Sequence, residues 1–267
     1  MNSRFFLCFL SLIFLPGGIP YAADKPEPKG RYQKADFASR GGIGKLYMGR
    51  EISQVMGHLG AGWLERPKRE KEERTDLLVN NLGLKPTDVV ADIGAGSGYF
   101  SFRMAKLVPE GKVHAVDISK EMLAIIRARM VKMKVDNVVP VFSTVTDVKL
   151  PPNSVDVALI VDAYHEFDHP WEMATSILKS LKPGGRLVLI EYRMEDPTVP
   201  IKRLHKMTEA QARKEPRLLG QIRLALARVV RPLRQLAVQR APVPARVIPR
   251  HHSHRGGRRR RRRRRRR

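Results

Sequence analysis

The middle of the chain alternates short runs rich in β-branched residues with segments of helical patterning, and this alternation constrains the fold most. Strand-like runs cover Asp88–Ile93, Lys112–Val116, Asn137–Phe142, Val155–Val161 and Arg186–Ile190. Strands of about five residues separated by helices of about ten or more residues are typical of βαβ units. The sequence therefore predicts an α/β fold with a doubly wound, mainly parallel sheet.

Residue types that begin helices mark the segments between the strands. Ser119 is suited to cap a helix, Pro170 to occupy a first turn, and Thr208 to cap a last helix. A helix is also expected over Tyr99–Leu107, and a single charged helix over Lys68–Leu82. The apolar positions expected to face the core are Met122, Ile126 and Met130 after Ser119, and Trp171, Ala174, Leu178 and Leu181 after Pro170.

A glycine-rich turn follows the first strand, at the edge of the sheet where ligands bind in doubly wound folds. Small residues in such a turn let the backbone approach a ligand and bring a helix N-terminus to it. Asp92 lies two positions ahead of the turn. The turn comprises Gly94, Ala95, Gly96, Ser97 and Gly98.

An acidic residue, Asp117, ends the second strand 19 residues beyond Gly98. A carboxylate at this position can accept the hydroxyl protons of a ribose. Either Asp92 or Asp117 alone would more often be a solvated or capping group. Together with the turn they favour a nucleoside ligand, and the Gly-x-Gly-x-Gly spacing differs from the Gly-x-Gly-x-x-Gly of dinucleotide sites.

Three segments, Val89–Gly98, His114–Ser119 and Leu181–Leu187, resemble the class I S-adenosylmethionine-dependent methyltransferases. The likeness extends over about Glu72–Glu215. It implies a Rossmann-like fold, S-adenosylmethionine as the cofactor, and transfer of a methyl group to a small-molecule acceptor. By resemblance, the glycine turn and Asp92 bind the methionine part of the cofactor, Asp117 binds the ribose and Ile118 packs on the adenine. The side chain of Asp147, or the backbone beside it, contacts the adenine amine.

Polar side chains also follow the fourth strand, which lies beside the first in the family's strand order. Methyl transfer needs alignment and a deprotonated nucleophile, and His165 has a pKa range suited to removing that proton. Glu166 can orient His165 or act in its place. The alternative is that His165 is hydrogen-bonded scaffold. Asp162 and Tyr164 are expected to line the methionine and substrate pocket.

Residues 1–23 have the pattern of a secretory signal peptide. A basic residue, Arg4, precedes an apolar run over Phe5–Leu15, a proline-glycine breaker and small residues ending at Ala23. We therefore expect a periplasmic or secreted protein. Two alternatives remain open, an uncleaved N-terminus or translation from Met48, and either implies a cytoplasmic protein.

Residues 24–70 are rich in glycine, with Trp63 among them, and are expected to form a cap or lid over the site. They resemble the N-terminal cap of a bacterial, often export-tagged branch of the same methyltransferases. The alternative is that Trp63 and Leu64 fill an edge of the sheet. Residues 71–215 are then expected to form the methyltransferase domain.

Residues 216–267 differ sharply from the rest of the chain. They hold 19 Arg residues and no acidic residue, whereas the first 215 residues account for only +6 of the net charge of +25. This abrupt change favours a frame-shifted gene end, and the segment is expected to be largely disordered because like charges repel. We expect the family's final β-hairpin to be missing, which would expose a hydrophobic edge beside strand five.

Two other functions remain open from the sequence. In the first, the protein binds nucleic acid or an anionic membrane through the Arg-rich tail. Such binding to polyanions would be non-specific, because charged groups hold a protein on a phosphate backbone but do not read the base sequence. Alternatively, the domain binds its cofactor but has lost catalysis. No metal site is predicted, since the single cysteine, Cys8, is one ligand short of a thiolate pair.

Overall fold

Two β-sheets and seven α-helices make up the part of the chain described by a computed structural model, which comprises residues 7–12, 30–217 and 224–228. The large sheet has seven strands and the small sheet has three antiparallel strands, β2 to β4. In chain order the strands are β1 (Leu7–Leu12), β2 (Tyr32–Lys34), β3 (Gly42–Tyr47), β4 (Arg50–Ser53), β5 (Val89–Ile93), β6 (Lys112–Asp117), β7 (Val138–Phe142), β8 (Val155–Val161), β9 (Leu181–Tyr192) and β10 (Leu224–Arg228).

The strand order of the large sheet is β10-β1-β9-β8-β5-β6-β7. Its five central strands, β5 to β9, run parallel to one another. The chain winds outward from β5 through β6 and β7 and then returns to the other side of β5 as β8. The predicted doubly wound parallel sheet is therefore confirmed, and its winding reverses beside β5, where such sheets bind ligands.

The edge of β9 that faces away from β8 is covered by the antiparallel strand β1, which is paired in turn with β10. β1 pairs with β9 from Leu7 opposite Tyr192 to Ser11 opposite Val188, and β10 pairs with β1. The prediction of an exposed edge beside the fifth predicted strand, Arg186–Ile190, which lies within β9, is therefore wrong. An edge strand offers unpaired N–H and C=O groups that any extended segment can satisfy, whatever its side chains. β1 and β10 are paired but are not consecutive in the chain, so among the described strands they do not form the family's final β-hairpin. β1 lies inside the predicted signal peptide.

Seven helices accompany the sheets, and Ser119 caps the longest of them by accepting a hydrogen bond from the N–H of Met122 at 3.1 Å. In the part of the chain with described positions, none of the helices combines the length and apolar character needed to cross a membrane. The helices are α1 (Ala61–Leu64), α2 (Arg69–Glu73), α3 (Thr75–Asn81), α4 (Ser101–Ala105), α5 (Lys120–Met133), α6 (Pro170–Ser180) and α7 (Glu209–Arg217).

The single charged helix predicted over Lys68–Leu82 is wrong, because the segment forms α2 and α3 instead. Arg74 between them adopts a left-handed conformation with φ of 51°, which ends α2. The predicted buried face of α6 is also partly wrong. Met173, Ala174 and Ile177 are buried there, whereas Trp171 is only half-buried.

The core lies on both faces of the sheet because successive side chains of a strand point to opposite faces. Val90 and Leu159 pack on the side that carries α3, α4 and α5. Their neighbours Ala91 and Ile160 pack on the other side, with α6 and α7. This double cover holds the carboxyl ends of β5, β6 and β8 in fixed positions and so provides a rigid base for a site.

Lys134 follows α5 in the left-handed region, with φ of 54°. This conformation costs a residue with a Cβ atom about 1 kcal/mol and costs glycine nearly nothing. We expect Lys134→Gly to raise the free energy of unfolding by about 1 kcal/mol in urea titrations. The matched control is Lys132→Gly inside α5, which should lower it by about 1 kcal/mol. Destabilisation by both variants would contradict the prediction.

Candidate functional site

The glycine turn after β5 is held close to its neighbours. Gly94 and Gly96 have φ of 74° and 54°, and the N–H groups of Gly94 and Ala95 donate to the carbonyl of Val116 at 2.9 and 3.0 Å. A Cβ atom on Gly94 would lie 2.7 Å from the Cβ of Ala163, and one on Gly96 would lie 2.6 Å from Cδ1 of Leu64. Only glycine combines these backbone angles with this spacing.

A cleft opens at the carboxyl ends of β5, β6 and β8. Because this is where the winding of the sheet reverses, it is the expected place for a ligand. The predicted site residues that line the cleft are Asp92, Gly94, Ala95, Gly96, Asp117, Ile118, Asp162 and Glu166.

The carboxylate of Asp117 faces the cleft with two backbone donors already attached. Its Oδ2 accepts the N–H of Gly96 at 2.7 Å and its Oδ1 accepts the N–H of Ser119 at 2.8 Å. Burial raises the pKa of Asp117, although these N–H groups act in the opposite direction. A carboxylate has about four acceptor positions, so each oxygen of Asp117 retains capacity for a ligand hydroxyl.

Asp92 is buried beneath the glycine turn, and its Oδ2 accepts a hydrogen bond from the hydroxyl of Ser101 at 2.5 Å. Burial, reinforced by the nearby charge of Asp117, raises the pKa of Asp92 to about 6 against the lowering effect of Ser101. The native state therefore holds a proton on Asp92 at pH values where the unfolded chain has released it. Stability then falls as the pH rises from about 4 to about 6.

We expect Asp92→Asn to remove this loss. The variant should be more stable than the wild type by about 3 kcal/mol at pH 7, and equally stable below pH 4, where both side chains are neutral. Urea titrations at several pH values measure this difference. Asp136→Asn is the matched control because Asp136 is exposed. Equal effects of Asp92→Asn at pH 4 and pH 7 would contradict the assignment.

Five residues predicted for the site do not line the cleft. Ser97 donates to Glu65 at 2.6 Å, and Gly98 packs against Phe102. Asp147 lies beyond the cleft, where its carboxylate binds Lys149 and Ser176 and its pKa is lowered to about 2, mainly by Lys149. Ser143, Thr144 and Val145, after β7, line the cleft where the resemblance assigned Asp147. Tyr164 and His165 complete the five predicted residues that do not line the cleft.

His165 is fully buried behind the cleft wall, and both ring nitrogens have partners. Its Nδ1 lies 2.7 Å from Oε2 of Glu191, and its Nε2 lies 3.0 Å from Nδ1 of His205. Burial lowers the pKa of His165, but Glu191, Asp162 and Glu166 outweigh it and raise the pKa to about 9. The ring is therefore charged at neutral pH, which does not favour its predicted role as a base.

Glu166 does reach the cleft, and its Oε2 accepts the N–H of Met56 at 3.2 Å. Burial raises the pKa of Glu166 to about 7, against the lowering effects of His165 and Met56. A carboxylate that titrates near neutral pH can accept a proton from a ligand. The geometry therefore favours Glu166 over His165 for that role.

The N-terminal segment contributes one wall of the cleft through Val55, Met56 and Leu64. Trp63 instead lies on the outer surface, where the guanidinium of Arg66 stacks 3.9 Å from the centre of its ring. Leu64 thus faces the glycine turn while Trp63 faces outward.

Two residues of the buried network, Glu191 and His205, lie in segments that match the same branch of the family, but the sequence assigned neither of them a role in the site. Glu191 lies near the carboxyl end of β9, at the same sheet edge as the other acids, so its place in the sequence could have predicted that it lies near the site. His205 lies in a short 3-10 helix, Arg203–His205, within an irregular segment. No periodicity marks such a position.

Comparisons with known proteins agree with this geometry. A family described as "Methyltransferase domain" matches residues 84–233. The ubiquinone/menaquinone biosynthesis C-methyltransferase UbiE of Ectopseudomonas mendocina is 34% identical over 112 residues, covering 41% of this chain and 44% of that protein. An uncharacterized methyltransferase-like protein of Schizosaccharomyces pombe is 31% identical over 126 residues, covering 47% and 46%. The chain thus spans less than half the length of these curated relatives.

Solved structures support the fold. A SAM-dependent methyltransferase from Aquifex aeolicus superposes with a TM-score of 0.59 at 23% identity, covering 62% of this chain and 89% of that one. The putative methyltransferase complex with the Trm112 activator of Haloferax volcanii gives 0.51 at 20% identity, covering 61% and 75%. Because the family match covers more than half of its residues, the chain belongs to the methyltransferase domain family.

Proposed function

We propose that the chain transfers a methyl group from S-adenosylmethionine to a small-molecule acceptor. One observation carries the proposal: the glycine turn and the carboxylate of Asp117 meet in one cleft, beside the point where the sheet reverses its winding. The curated relative named as a C-methyltransferase supports the reaction type.

The residues of the cleft fit this cofactor in three ways. Gly94 and Gly96 line the cleft without side chains, so their backbone can approach a ligand. Asp117 retains acceptor positions for ribose hydroxyls, and Ile118 offers a partly exposed apolar surface for a base. Asp162 is a further feature that fits the cofactor, since its Oδ1 is buried and accepts no hydrogen bond within the described residues. Such an acceptor suits the cationic amine of an amino-acid group.

The cofactor supplies an electrophilic methyl group when it is bound. The protein residues then have to align the acceptor, exclude water and remove a proton. Met56 and Leu64 close one side of the cleft, and Phe167 and Met173 add further apolar wall. Oε1 or Oε2 of Glu166 would accept the proton that the acceptor releases, and His165 behind it would stabilise the carboxylate and position it.

Titration of the full-length chain with S-adenosylhomocysteine, in excess EDTA, tests the cofactor site directly. We expect saturable binding at one site per chain. Incubation with tritiated S-adenosylmethionine and a small-molecule extract tests the acceptor class, with label expected in the low-molecular-weight fraction. Absence of S-adenosylhomocysteine binding would contradict the proposed function, and label found only in macromolecules would contradict the acceptor class.

Localisation and the role of the tail stay predictions. Cleavage after Ala23 would remove β1 from the large sheet, so the intact mass of the protein from a periplasmic extract distinguishes the exported form from the full chain.

Beyond Arg228 the Arg-rich tail lies outside the described residues. Its non-specific binding to polyanions is testable by the loss of binding at high salt.

A further inference from the structure

Three side chains beside the cleft bring potential metal-ligand atoms together. Nε2 of His165 lies 3.0 Å from Nδ1 of His205 and 3.8 Å from Oε1 of Glu166, and the last two atoms are 3.6 Å apart. His165 is fully buried, whereas His205 and Glu166 are half-buried. The sheet brings the three together although His205 is 40 residues from His165 along the chain.

We propose that His165, His205 and Glu166 bind a divalent first-row transition metal ion, with Zn²⁺ as the best fit. The circle through the three ligand atoms has a radius of about 2.0 Å, which matches Zn–N and Zn–O bond lengths of about 2.0–2.2 Å. An ion near its centre would contact all three atoms after only small side-chain movements. Two imidazoles and one carboxylate are a common protein ligand set for such ions.

Glu191 supplies the outer support that metal-binding histidines need. Its Oε2 lies 2.7 Å from Nδ1 of His165, a distance that fits an N–H···O hydrogen bond. That bond holds a proton on Nδ1, as in carboxylate–histidine–zinc arrangements. The ion would displace the second proton of the charged ring, the one on Nε2. The group of Asp162, Glu191 and Nδ1 of His165 is the less suitable metal site, since an ion there would break the short hydrogen bond to Glu191. At Nε2 the partner, Nδ1 of His205, is itself a potential ligand of the same ion.

The charge around His165 also favours a cation. The carboxylates of Asp162, Glu166 and Glu191 lie within 3.9, 3.8 and 2.7 Å of its ring nitrogens. Nearby Arg50 pairs with a different acid, Glu215. These carboxylates already favour the protonated form of His165, and a divalent ion would take the place of the proton on its Nε2.

The ion would lie between two cavities and keep an open side. Glu166 lines the cofactor cleft, and His205 lines a second cavity that also includes Arg50 and Lys202. Three protein ligands leave at least one coordination position for water or another molecule, as in catalytic rather than structural zinc sites. An ion on Oε1 of Glu166 also takes the place of the proton that this carboxylate would accept in the metal-free chain.

Zinc binding to the full-length chain tests the proposal. The protein is stripped with EDTA, incubated with Zn²⁺ and desalted, and zinc is measured by mass spectrometry. We expect about one ion per chain. His205→Ala should weaken the affinity by about 100-fold or more, and Glu191→Gln by about 10- to 100-fold. His58→Ala is the matched control, since His58 is exposed and lies outside the cluster.

Circular dichroism of each variant checks that it is folded, and Co²⁺ in place of Zn²⁺ reports the ligand geometry by visible absorption. Zinc in the wild type at no more than the level in folded His205→Ala would overturn the proposal. Equal loss in His58→Ala would do so too, because it would indicate non-specific binding. The metal is measured without S-adenosylhomocysteine, so failure here leaves the proposed methyl transfer unaffected.

Discussion

Glu191→Ala is expected to lower the free energy of unfolding by about 3–5 kcal/mol at pH 7, measured by urea titration in EDTA. Glu191 is buried, and its Oε2 lies 2.7 Å from Nδ1 of His165. Its Oε1 also accepts the backbone N–H groups of Tyr164 and His165, at 2.9 and 3.3 Å. Alanine would leave a buried imidazolium without its nearest counter-charge and two buried N–H groups without an acceptor.

Glu191→Gln is the matched control for the charge alone. The amide oxygen can still accept the backbone N–H groups, so the expected loss is smaller, about 1–2 kcal/mol. If Glu191→Ala cost no more than about 1 kcal/mol, the network around His165 would not be a stabilising element of the fold. Equal losses in both variants would assign the effect to charge and not to the backbone hydrogen bonds.

Asp117→Ala is expected to weaken S-adenosylhomocysteine binding by about 100-fold in isothermal titration. Two hydrogen bonds from ribose hydroxyls to a carboxylate contribute about 3 kcal/mol together, and about 1.4 kcal/mol corresponds to a tenfold change in affinity. The substitution also removes the acceptor for the N–H groups of Gly96 and Ser119. A thermal melt of the variant separates lost binding from lost folding.

Asp147→Ala provides the matched control for Asp117→Ala. The family resemblance assigns Asp147 to the adenine amine, whereas its carboxylate binds Lys149 and Ser176 away from the cleft lining. We expect its affinity for S-adenosylhomocysteine to stay within about threefold of the wild type. A loss as large as that of Asp117→Ala would support the assignment by resemblance. Unchanged binding in Asp117→Ala would contradict the ribose contact.

The strands and the glycine turn were predictable because their signals are local. β5, β6, β7 and β8 agree with the predicted runs to within one residue at each end, since β-branched runs and turn residues act over a few positions. The break between α2 and α3 was not predictable. It depends on Arg74 adopting a left-handed conformation, while Glu73 accepts a hydrogen bond from Tyr192, which is 119 residues away in the chain, besides those from its neighbours Arg66 and Arg69.

By itself the sequence determined the α/β class, the glycine turn and the two acids at its edge, because each depends on residue types at short spacing. Only the tertiary structure decided that Glu166 reaches the cleft while His165 lies behind it, and that Glu191 and His205 contact the same imidazole. The physical reason is the strand order. β8 and β9 lie side by side in the sheet, which brings Glu191 to His165, and a backbone bridge between Arg193 and Met207 returns the segment that carries His205. These residues are far apart in the chain and have no shared local pattern.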